Sequence, residues 1–104
     1  MIFLVKALAL VFTMALGPSR EWVAFRYPLD EGVVWVETCL EMEGHAPGEP
    51  DRSWYRQACW SPSFSGEQRR LPPDAYRIRG RLAYRVHGGG DRYLWTPVMS
   101  VRPE

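Results

Sequence analysis

A chain of 104 residues with a formal net charge of +1 has material for one small domain and leaves no room for a second. Nine prolines, nine glycines and 13% aromatic residues favour strands and turns over helices. The absence of asparagine excludes N-glycosylation, and 12 of the 13 basic residues are arginine, the usage of a GC-rich bacterial genome.

Residues 2–16 are apolar apart from Lys6 and Thr13. Residues 7–16 have the length of a signal-peptide core, and Lys6 with the amino terminus supplies the positive flank. Small residues follow, and Ser19 before Arg20 is the preferred cut. The sequence thus predicts residues 1–19 as a signal peptide or an uncleaved signal-anchor helix, and residues 20–104 as a single exported β domain, periplasmic or extracellular. No cysteine follows the run, which argues against a lipoprotein anchor.

Five strands are predicted in the domain. Residues 22–27 are short and aromatic. Residues 33–43 alternate, with Val34, Val36, Leu40 and Met42 on one face and Glu37, Cys39, Glu41 and Glu43 on the other. On that phase Trp35 lies on the outer face or under a loop. Residues 54–60 place Tyr55, Gln57 and Cys59 on one side. Residues 76–86 give the clearest period of two, with Tyr76, Ile78, Leu82, Tyr84 and Val86 against Arg77, Arg79, Arg81 and Arg85. Residues 92–101 contain Pro97, which cannot donate to a ladder and so belongs at an edge or bulge. Residues 44–52 read as a hairpin loop and 61–74 as a longer link.

Cys39 and Cys59 are the only cysteines, and in an oxidising compartment they are expected to pair. Closing that loop contributes roughly 3 kcal/mol. Pairing 33–43 with 53–60 sets Cys39 opposite Cys59, Glu41 opposite Gln57 and Glu43 opposite Tyr55. Residues 21–51 carry a charge of −7 and residues 52–104 a charge of +6. The two halves are expected to neutralise each other across a sheet, Glu37, Glu41 and Glu43 facing the arginine row.

The stretch Leu71-Pro72-Pro73-Asp74-Ala75-Tyr76 resembles the approach to the penultimate strand of immunoglobulin-like and fibronectin-type sandwiches. There a tyrosine enters the core and its hydroxyl bonds back to the turn. The hairpin through Gly88-Gly89-Gly90 and the exit Thr96-Pro97-Val98 extend the likeness over residues 71–101. The resemblance implies a small antiparallel sandwich, with a small β-barrel as the alternative, and implies no activity.

The glycine triplet is followed by a strand, which fits a turn and not a phosphate cradle. Met42, His45 and His87 with Glu41 and Glu43 have metal-binding chemistry, but the histidines sit on separate loops; no metal or cofactor is expected. Ser61, Ser63 and Ser65 lack a nucleophile-elbow motif, and no enzyme is expected. Five tryptophans exceed the needs of so small a core. Exposed aromatics beside arginine are typical of protein-binding surfaces. Trp35, Trp95, Arg77, Arg79, Arg81 and Arg85 are the candidate binding residues. The expected function is a non-enzymatic protein-binding module, an accessory subunit of an envelope or membrane complex, with membrane association through residues 2–16 and no nucleic-acid partner. The alternative is a carbohydrate- or anionic-polymer-binding module.

Overall fold

Alternating side chains divide the chain between two sheets that share one core. The computed structural model describes residues 11–28, 32–63 and 66–102. The described residues form β1 (Thr13–Leu16), β2 (Trp22–Arg26), β3 (Val33–Ala46), β4 (Glu49–Trp60), β5 (Glu67–Arg70), β6 (Ala75–Val86), β7 (Asp91–Trp95) and β8 (Met99–Ser100). The smaller sheet has the order β1-β2-β5 and the larger β4-β3-β6-β7, with β8 also beside β6. All pairings are antiparallel. The sheets stack as a sandwich and do not close into a barrel.

The core between them is apolar, with Val23 and Phe25 from β2 meeting Leu40, Ile78 and Leu82 from the larger sheet. One buried polar link joins the layers: the Tyr27 hydroxyl and Thr38 Oγ1 are 2.7 Å apart. Burial holds the Tyr27 phenol neutral, its pKa pushed up to about 12 despite the opposing hydrogen bond with Thr38.

The N-terminal apolar run contributes directly to this core. Residues 1–10, and with them most of the expected signal or anchor helix, lie outside the described residues. The end of the run is a strand and not a helix. Phe12 and Met14 are buried, and the Phe12 ring stacks on Phe25 and Tyr27 at 5.9 and 5.7 Å. Pairing with β2 secures it, Met14 opposite Phe25 and Leu16 opposite Val23. Among the described residues no helix is long and apolar enough to cross a membrane.

The β3–β4 hairpin carries the expected register in full: Cys39 faces Cys59, Glu41 faces Gln57 and Glu43 faces Tyr55. Its turn is tighter than the loop expected over 44–52. Gly48 at φ 72° turns the chain between Ala46 and Glu49, a conformation that favours glycine. The Cys39–Cys59 disulfide is formed, which points to an oxidising environment.

Three expectations are corrected. Trp35 does not share a face with Glu37: one extra residue in β3, between Trp35 and Glu37, reverses the phase. Trp35 packs against Tyr27 at 4.8 Å and joins the core margin, while Val34 turns outward. Tyr76 is not the core tyrosine of the sandwich resemblance. A second bulge, in β6 opposite Glu43 and Gly44, leaves Tyr76 as the extra residue and gives the buried pairing position to Ala75. The Tyr76 ring stacks on His45 at 4.5 Å, and its hydroxyl donates to Glu43 Oε2 at 3.5 Å instead of to the turn. The link over 61–74 contains β5, which pairs with β2. Pro97 falls in the break between β7 and β8, beside buried Thr96, whose Oγ1 accepts from the Gly80 amide at 2.8 Å.

Candidate functional site

The outer face of the larger sheet gathers most of the residues expected to bind. Beyond its bulge, β3 points Glu37, Cys39, Glu41 and Glu43 outward, and β6 points Arg77, Arg79 and Arg81 the same way. Register sets Glu43 against Arg77, Glu41 against Arg79 and Cys39 against Arg81. Arg79 grips Glu41 Oε2 with Nη2 at 2.6 Å and Nε at 2.8 Å. Arg77 meets Glu43 at 3.5 Å, and Arg81 reaches diagonally to Glu37 at 3.4 Å. Arg85 is engaged differently, with Asp91 across the β6–β7 hairpin at 2.5 Å.

The next strand adds aromatic rings. Opposite Ala83 and Arg81, β7 places Tyr93 and Trp95, each about half exposed. The Arg79 guanidinium lies 4.2 Å from the Trp95 ring centre, and that of Arg81 lies 5.3 Å from Tyr93 and 5.7 Å from Trp95. Each guanidinium thus has a carboxylate on one side and an aromatic ring on the other. Such contacts contribute about 0.5–1 kcal/mol each at exposed sites and fix the side-chain rotamers. On the opposite flank Tyr55 donates to Glu41 Oε1 at 3.0 Å, and desolvation and that bond raise its phenol pKa. Glu41, Glu43, Tyr55, Arg77, Arg79 and Val98 line a shallow depression of about 350 Å³.

Of the sequence candidates, Trp95, Arg77, Arg79 and Arg81 come together here. Arg85 sits at the margin, and Trp35 faces the core. Tyr93 and Tyr55 also belong to the face. The sequence signal for Tyr93 was its spacing of two from Trp95, and for Tyr55 its shared parity with Cys59. The residues with metal-binding chemistry do not assemble: Met42 is buried in the core, whereas Glu41 and Glu43 point to the opposite face and His45 stacks on Tyr76. Among the described residues, Glu37, Cys39 and Cys59 bring ligand atoms within metal-binding range, and both cysteines are committed to the disulfide.

Comparison with models of protein families, with curated proteins and with solved structures gives no match for this chain.

Proposed function

We propose that the chain is an exported, non-enzymatic protein-binding module that offers the outer face of its larger sheet to a subunit of an envelope or membrane complex. The observation that carries this reading is the layer of Trp95, Tyr93, Arg79 and Arg81, held in place before any partner arrives. Tryptophan, tyrosine and arginine are the residues enriched at binding hot spots. Fixed rotamers reduce the entropy lost on association.

Two further observations support parts of the reading. The strand orders β1-β2-β5 and β4-β3-β6-β7 correspond to A-B-E and C′-C-F-G of immunoglobulin-like and fibronectin-type sandwiches, with no strand D among the described residues. The disulfide fits export. A cut after Ser19 would remove Phe12 and Met14 from the core, and an anchor helix through residue 16 would do the same, so any leader or anchor is confined to residues before Phe12. The polymer-binding alternative draws less support. Its arginines are paired with Glu37, Glu41, Glu43 and Asp91, which leaves the face close to neutral.

Site-specific photo-crosslinking tests the proposal. A crosslinker at position 93 is expected to give a stoichiometric adduct in native membranes, lost in Trp95→Ala, whereas one at position 52 on the far strand gives none. Equal labelling from both positions would refute the assigned face. Saturable quenching of Trp95 by cell-wall glycans, with no protein adduct, would instead favour polymer binding.

A further inference from the structure

The outer face contains a straight row of one residue per strand: Cys59 on β4, Cys39 on β3, Arg81 on β6 and Trp95 on β7. Its first member stands on an edge strand, since among the described residues β4 pairs with β3 alone. The two sulfurs of the bridge are unequal in surroundings. Cys59 is exposed, while Cys39 is fully buried. Arg81 Nη2 lies 3.1 Å from Cys39 Sγ.

Thiol–disulfide exchange is an in-line displacement, in which the attacking thiolate approaches one sulfur from the side opposite the other. Cys59 is exposed on the edge strand, where a thiolate can reach it. Cys39 is buried, with the Arg81 guanidinium and the Glu37 carboxylate both 3.1 Å from its Sγ. Geometry and exposure therefore select Cys59 as the sulfur attacked. The sulfur released is Cys39, beside a fixed positive charge that stabilises a thiolate and makes it a better leaving group. Glu37 opposes this, with Oε1 at 3.1 Å from Cys39 Sγ. Arg81 also contacts that carboxylate, so the two residues set the leaving tendency with opposite signs.

We infer that the Cys39–Cys59 bridge is an exchange site for small-molecule thiols, with Cys59 the electrophile and Cys39 the leaving thiolate. The attacking thiolate forms a new S–S bond to Cys59 Sγ as the Cys59–Cys39 bond breaks. The electron pair of the broken bond passes to Cys39 Sγ. One disulfide and one thiolate enter, and one mixed disulfide and one thiolate leave, with no external oxidant or reductant.

The test uses the full chain under native conditions with reduced glutathione. Early time points are acid-quenched, and free thiols are alkylated after unfolding and located by peptide mass spectrometry. Glutathione is expected on Cys59 and the alkyl group on Cys39, with at least about a tenfold preference. Arg81→Gln is expected to slow exchange roughly threefold or more, and Glu37→Gln to accelerate it. Thermal unfolding of both variants separates these effects from stability, because exchange through global unfolding accelerates in any destabilised variant. Glutathione divided equally between the cysteines, acceleration by Arg81→Gln, or exchange only at unfolding denaturant concentrations would overturn the inference.

Discussion

Two single residues carry disproportionate structural consequence. Tyr27 joins the sheets through Thr38, and the fold favours its neutral form. An unfolded tyrosine ionises near 10.0, whereas Tyr27 in the fold ionises at about 12. Below pH 10 its contribution is fully present. Above that the unfolded chain gives up its proton first, and the contribution is lost as pH rises through 12. Tyr27→Phe should flatten this part of the pH–stability curve relative to the native chain, as measured by urea unfolding at successive pH values. At neutral pH the same variant should cost roughly 1–3 kcal/mol, because Thr38 is left buried without its partner. Gly44 is the second such residue. The Trp54 indole lies across it, in the space a side chain would need, and donates to the His45 carbonyl at 2.9 Å; the Asp74 carbonyl also crowds that space at 2.6 Å. Gly44→Ala should therefore cost about 1–3 kcal/mol by overpacking. The Trp54 part of that cost should vanish in a Trp54→Ala background while the clash with the Asp74 carbonyl remains, a partial coupling that a double-mutant unfolding cycle measures directly.

The element scale shows what alternation reveals and what it hides. The glutamate–arginine match between residues 33–43 and 76–86 was legible, because both segments keep a period of two through Glu37–Glu43 and Arg77–Arg81. It yields a prediction: Arg79→Glu should destabilise more than Arg79→Gln, since it sets like charges beside Glu41. Because Arg79 is partly exposed, the pair is worth about 0.2–1 kcal/mol. The gap between variants should narrow at 1 M salt, where screening acts within ~3 Å. Denaturant titration at low and high salt measures both differences. Trp35 was misplaced because one inserted residue reverses a strand's phase without any compositional trace. Tyr76 was misplaced by the same device on β6, where it is itself the extra residue opposite Glu43 and Gly44. The β5 sequence, Glu67-Gln68-Arg69-Arg70, has no apolar face to detect, and β2 holds it through backbone pairing.

At the scale of the whole molecule, one segment answers to two readings. A run such as Phe12-Thr13-Met14-Ala15-Leu16 alternates like a strand and is also apolar like the end of a signal. Composition cannot separate these, so β1 was hidden inside the expected leader. Its burial makes a direct prediction. Phe12 and Met14 each contribute roughly 1.5–3 kcal/mol by leaving water, a large share of the ~5–15 kcal/mol that stabilises an ordinary domain. A chain begun at residue 11 should unfold cooperatively. One begun at residue 20 should lose most of that stability, as calorimetry of the two would show. The ladder on the opposite sheet has a further consequence, a heritable one. Glu41 and Arg79 form a unit whose signs can be exchanged together, so a lineage carrying arginine on β3 and glutamate on β6 would keep the same electrostatics. It would not keep the same surface. The guanidinium would leave Trp95 and come to lie beside Tyr55, and the patch would migrate from one margin of the sheet to the other. Descendants that preserve recognition should therefore preserve the polarity of each rung as well as its neutrality.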